Sequence, residues 1–203
     1  MVTDIKMCSD ALVLLGENPI ASFDDGSDAE TMGAIYEMVV EDLLASYRWR
    51  FASVEVGLTQ LENPPIMRWS SAWQLPIELL NIHSAHLGDP DRPITFDVYK
   101  DMLVTNDPGE GAIVYCDMTV RVEEAIFRPY FRTALIYALA AAGAMPVTGK
   151  EQLAGYYGNL AELKLQRAKL VESQGRTTKN VDTSRLVRAR LGPRGQLVRG
   201  EVS

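Results

Sequence analysis

The hydrophobic period of this chain changes twice, from helical to strand-like and back, and that order limits the fold more than any single motif does. Near the N-terminus, Ile5, Cys8, Leu12 and Leu15 recur at three- and four-residue spacing, which predicts a helix with one buried face that Thr3 or Asp4 can cap. Gly16 suits the left-handed position that ends such a helix, and Pro19 blocks its resumption. The polar run Ser22 to Asp28 reads as a loop. From Asp28, the expected N-cap, the residues Met32, Ile35, Tyr36, Val39, Val40, Leu43, Leu44 and Tyr47 trace a second apolar stripe. That predicts a helix of about 20 residues and about 30 Å.

Beyond the aromatic block Tyr47-Arg48-Trp49-Arg50-Phe51-Ala52 the period changes. Ser53 to Thr59 alternates, Trp69 to Pro76 is aromatic-rich, and Leu79 to Leu87 has no helical period. Ile94 to Tyr99 and Ala112 to Cys116 read as strands separated by a turn at Asn106-Asp107-Pro108-Gly109, with Met102 to Thr105 as a strand leading into that turn. Helical period returns with Ile126, Tyr130, Phe131, Ala134, Leu135, Ala138 and Leu139, in a helix that Pro146 and Gly149 are expected to break. A last helix opens near Glu151, carries Leu153, Tyr157, Leu160, Leu163 and Ala168, and ends near Ser173. The predicted fold is therefore α+β: an antiparallel bundle of about four helices built from residues 1–52 and 123–174, with a small antiparallel β domain, 53–122, inserted between its second and third helices. Residues 175–203 form a basic, extended C-terminal tail.

With 203 residues, 47% of them hydrophobic, the chain is long enough to bury a core in one large domain or two small ones, and it is expected to be soluble. A basic segment followed by an apolar one is missing at the N-terminus, and no run of about 18 apolar residues occurs, so no secretion signal or membrane partner is expected. The two cysteines, Cys8 and Cys116, lack metal or disulfide spacing and read as buried thiols. Charge is segregated: the tail carries seven arginines and lysines against two acids, a net +5, which leaves −12 on the rest of a chain whose formal total is −7. An acidic body argues against its gripping phosphate, whereas the tail is free of that objection. Low hydrophobicity and high charge predict disorder in the tail, although Leu186 to Leu191 and Gln196 to Arg199 flank a possible hairpin turn at Gly192-Pro193-Arg194-Gly195.

Candidate chemistry is sparse. His83 and His86 are the only histidines; Asp89 and Asp91 stand near enough to be further ligands, but the segment has no metal-site grammar. Ser70, Ser71 and Ser84 lack a nucleophile motif. Gly109-Glu110-Gly111 and Gly143 do not form a phosphate loop, and the acidic pair Asp24-Asp25 reads as a solvated turn. No enzyme activity, cofactor or metal is expected. Trp49, Trp69 and Trp73 are core residues or, for the two in the polar segment beside Arg68, residues of a protein interface.

The segment Leu14-Leu15-Gly16-Glu17-Asn18-Pro19-Ile20, the loop and helix after it, the closure Tyr47-Arg48-Trp49-Arg50-Phe51-Ala52 and the later Trp73-Gln74-Leu75-Pro76 together resemble the head-to-tail adaptor family of tailed bacteriophages, the tail tubular protein A type of short-tailed phages. The family pattern has a Leu-Gly-Glu-Pro-Pro-like turn, from which this chain departs by Asn18, and a Trp-x-Phe-Ala-like end to the second helix. The likeness is good over roughly residues 1–80 and loose beyond them. It implies a virion protein at the head-tail junction, made in the host cytoplasm and assembled as a dodecameric ring. That ring would sit between the portal protein and the tail nozzle protein, with genomic DNA passing through it without specific binding. An acidic body suits such a conduit. Within the tail, Arg185, Leu186, Arg188, Arg190, Arg194, Leu197 and Arg199 are candidates for portal binding, by strand addition or arginine pairing. The alternative is a nucleic-acid-binding virion protein acting through the same basic tail.

Overall fold

Helix α1 (Asp4–Leu15) starts where the Thr3 hydroxyl accepts a hydrogen bond from the Lys6 amide. It ends at Gly16, whose φ of 88° lets the amides of Gly16 and Glu17 turn back onto the carbonyls of Val13 and Leu12. This computed structural model describes residues 3–62, 68–88, 93–106 and 113–175. The turn after α1 is tied down by Ser9, a buried helix residue whose hydroxyl accepts from the Ile20 amide at 3.1 Å. Helix α2 (Ser27–Ala45) is capped by Gly26, not by Asp28 as the sequence suggested. Asp25 organises that loop instead, accepting from the amides of Ala21 and Ser22, while Asp28 lies in the first helical turn. Tyr47 falls beyond the end of α2, in the aromatic closure.

Between α2 and α3 (Pro129–Thr148) run six strands: β1 (Ser53–Leu58), β2 (Ser71–Gln74), β3 (Leu79–Leu87), β4 (Asp97–Tyr99), β5 (Met102–Thr105) and β6 (Val114–Val120). All pairings are antiparallel, in two sheets of order β1-β6-β3 and β2-β5-β4. The segment leaving β1 pairs with β2 through Gln60 and Trp73, and the end of β3 pairs with the segment leading into β4 through His86 and Pro93. The strands thus wrap around one core that includes Leu58, Trp73, Leu103, Cys116 and Met118. Such wrapping shortens the open edges that would otherwise invite pairing with another chain. Sequence pattern placed β5 ahead of a turn and another strand, as in a hairpin, but β5 and β6 belong to different sheets. Alternation marks a strand without naming its partner. The strand read at Ile94 to Tyr99 is shortened to β4, and that read at Ala112 to Cys116 is displaced to β6. Of the turn expected between β5 and β6, Asn106 is described; Asp107, Pro108 and Gly109, like Ala112, lie outside the described residues.

Helix α3 is long and apolar enough to cross a membrane by composition alone, but α1, α2 and α4 (Glu151–Gln174) all pack against it, which accounts for its apolarity. Ile126 belongs to a preceding 3-10 turn, not to α3. Pro146 does not end the helix, which runs on to Thr148; there the Thr148 hydroxyl donates to the Ala144 carbonyl and Gly149, at φ 67°, closes the end. Close α2–α3 approach needs Gly143: a Cβ there would meet Met32 Sδ at 2.7 Å.

The helical core centres on Trp49, which is fully buried and donates its indole N–H to the Leu43 carbonyl at 2.9 Å. Its ring lies 5.1 Å from those of Tyr47 and Phe131, and Phe51 and Phe127 also pack on Phe131. The closure thereby holds α2, the start of the β region and α3 in one cluster. Trp49→Ala is expected to cost about 3–5 kcal/mol. Equilibrium urea unfolding measures this, and a loss under 1 kcal/mol would show that the cluster is not central.

Candidate functional site

Alternation along the closure places aromatic rings inside and arginines outside, and each arginine joins a different part of the molecule. Arg48 pairs with Asp117 of β6, a nearly buried carboxylate. Arg50 reaches α4: its backbone N–H and Nε both donate to Glu172 Oε1 at 2.9 Å, and the Tyr130 hydroxyl donates to Oε2. The Arg50 guanidinium also donates to the carbonyls of Glu172, at 3.1 Å, and Gly175, at 2.7 Å, so it caps the C-terminus of α4. The point at which the basic tail leaves the body is therefore held by the closure. Beside this latch is a shallow concavity of about 550 Å³ lined by Arg50, Arg128, Pro129, Tyr130 and Glu172.

Burial alone would raise the Glu172 carboxyl, but the hydrogen bonds from Tyr130 and Arg50 outweigh it and hold the group below its ordinary value. Sequence reading singled out neither Glu172 nor its bond to Arg50. One signal was available: Glu172 falls four residues after Ala168, on the same helical face.

On the connection into α3, Arg121 forks between Glu37 of α2, at 2.5 Å, and Glu124, which also accepts from the Tyr36 hydroxyl at 3.3 Å. This network ties α2 to the connection into α3, and the Glu172 latch ties α4 to the first turn of α3. Neither holds an unpaired nucleophile or base.

The proposed interface residues separate. Arg68 is exposed and its guanidinium carbon lies 5.5 Å from the centre of the Trp69 ring, which is half-buried. Their loop is pinned by Asn106, whose side chain accepts from the Ser70 amide at 2.8 Å. Trp73 is a correction: it is fully buried between the two sheets, so its ring does not form part of a surface. Its neighbours Ser71 and Ala72 in β2 are buried as well. Its indole N–H has no hydrogen-bond partner among the described residues. The tail candidates Arg185, Leu186, Arg188, Arg190, Arg194, Leu197 and Arg199 lie outside the described residues.

The histidines do not converge. His83 Nε2 is 2.7 Å from Thr119 Oγ1, whereas His86 stacks on Tyr115 and lies 3.5 Å from Glu55. Asp89, Asp91, Gly109, Glu110 and Gly111 are outside the described residues. No group of three or more metal-binding side chains converges among the described residues. Cys8 and Cys116 are free thiols in separate cores, and burial pushes them up to about 12 and about 11 respectively, which leaves them unreactive at neutral pH.

Glu172→Gln is expected to destabilise the protein by about 1–3 kcal/mol at neutral pH. Because the folded carboxyl lies below its ordinary 4.5, its contribution is complete above that value and fades as pH falls through the depressed one. Denaturation of wild type and variant across the acid range measures this. A stability gap that persists unchanged into strong acid would contradict the assignment. No model of a known protein family matches the chain, and no curated protein matches it.

Proposed function

We propose that this protein is a structural head-to-tail adaptor of a bacteriophage virion, forming a dodecameric ring between portal and tail nozzle through which the genome passes. The observation that carries this reading is the pairing of the Leu14–Ile20 turn with the Tyr47–Ala52 closure in one helical hairpin. Its physical setting supports it. The closure packs Trp49 into the helical core, fixes β6 through Arg48 and fixes the root of the tail through Arg50. A wedge-like subunit that carries force along a ring needs such a rigid joint.

In this reading, residues 176–203 reach the portal and the acidic body leaves the passing DNA unheld. The tail root is immobilised by a cap on α4, so any grip made by the tail is transmitted to the body. The protein acts without cofactor or metal, at the head-tail junction.

Removing residues 176–203 is expected to leave the body folded, with unchanged far-ultraviolet circular dichroism, and to abolish co-sedimentation with purified portal rings. Undiminished portal binding by the truncated chain would overturn the role given to the tail. If the full chain instead binds linear duplex DNA with steep salt dependence and ignores portal, the nucleic-acid reading replaces the adaptor.

A further inference from the structure

Two helices turn faces of opposite character to solvent. Helix α2 carries five acidic residues and no lysine or arginine. Its outward side presents Glu30, Glu41 and Asp42, which make no ion pair among the described residues, around Met38, which is 62% exposed.

Helix α4 balances Glu151, Glu162 and Glu172 against Lys164, Arg167 and Lys169, and its solvent side is apolar. Tyr156, Leu163 and Leu170 stand 59%, 60% and 57% exposed. They recur every seven residues, so they form one line down the helix, about 21 Å long. Beside this line the α3–α4 groove, a concavity of about 220 Å³, is lined in part by Lys164, Arg167 and Val171. Arg128 lies beyond Tyr130, which lines both this groove and the concavity at the latch. Neither Arg128 nor Arg167 makes an ion pair among the described residues. An apolar seam of this length in water marks a contact surface.

We infer that the acidic outward face of α2 on one copy of this chain docks on the apolar and basic outward face of α4 on the next. A symmetric α4–α4 pair would cover the same apolar seam, but it would leave Met38 and the unpaired acids of α2 in water, whereas the α2–α4 contact covers both faces. The α2 face supplies opposite charge at the rim and, in Met38, a flexible apolar side chain for the seam. The two faces belong to different helices that pack on α3, so the contact is heterologous: a dimer keeps one free α2 face and one free α4 face, and addition continues until the assembly closes. This deepens the ring reading and rests on it for closure, while the pairing of faces stands on charge and exposure.

The test uses full-length chains with cysteine placed at one face each, Met38→Cys and Leu163→Cys. Both natural thiols are buried, so a short bismaleimide reports the new positions. Each variant is treated alone, and the two are treated as an equal mixture, with circular dichroism confirming the fold. The mixture is expected to give at least fivefold more crosslinked dimer than either variant alone, and the double variant is expected to give a ladder beyond dimer. Equal crosslinking by Leu163→Cys alone would assign the seam to an α4–α4 pair and overturn the inference, as would a mixture that stays monomeric. Crosslinking that emerges only after residues 176–203 are removed would assign the seam to the chain's own tail, also overturning it. Portal is absent throughout, so a ladder without portal binding would sink the adaptor reading alone, and portal binding without heterologous crosslinks would sink this inference alone.

Discussion

Burial of Trp49 is the constraint on which the other parts depend. A fully buried indole needs both an apolar shell and an acceptor for its N–H, and the structure provides the shell from Tyr47, Phe51 and Phe131 and the acceptor from Leu43. Meeting both needs at once fixes the end of α2, the start of β1 and the first turns of α3 relative to one another. The arginines on either side then have only one direction open to them, outward. That is why Arg48 meets β6 and Arg50 meets α4.

The β region is a second core, joined to the first by polar ties instead of a shared apolar layer. Leu80 and Val122 bring some apolar packing from the β side to the helices, while Asn81 donates to the Ala45 carbonyl and Arg48 pairs with Asp117. Two cores linked at a stiff joint make a unit whose faces point in set directions. The acid concentrated on α2 and the cations on α3 and α4 gain meaning from that stiffness, because charge patterns specify a partner only when they are held in register.

Local features were legible in the residues. The caps of α1, the extent of β5 and the reach of α4 follow from hydroxyl, glycine and alternation signals that act over a few positions. Reading failed where two local signals competed. Asp25 and Asp28 are both able to accept backbone N–H groups, and the loop geometry used the first. Pro146 has no N–H to give the Ala142 carbonyl, yet α3 runs on to Thr148, so Gly149 and not the proline ends it. Leu163, one of the apolar residues that marked the last helix, is exposed because α4 rests mainly on α3 and leaves its other side open. Of the candidate site, the Arg68–Trp69 loop was visible as aromatic and basic residues side by side, whereas Trp73 two turns of pleat away went to the core.

The sequence by itself determined the α+β order, the insertion of the strands between helical pairs, and the separation of a basic tail from an acidic body. Those are properties of period and composition, which need no knowledge of what packs on what. Tertiary structure alone decided that β5 and β6 lie in different sheets, that Glu172 sits buried under Arg50 and Tyr130, and which side of each helix meets solvent. Each of these depends on contacts between residues far apart in the chain. A one-dimensional pattern states that a surface will be buried, and only the packed chain says against what.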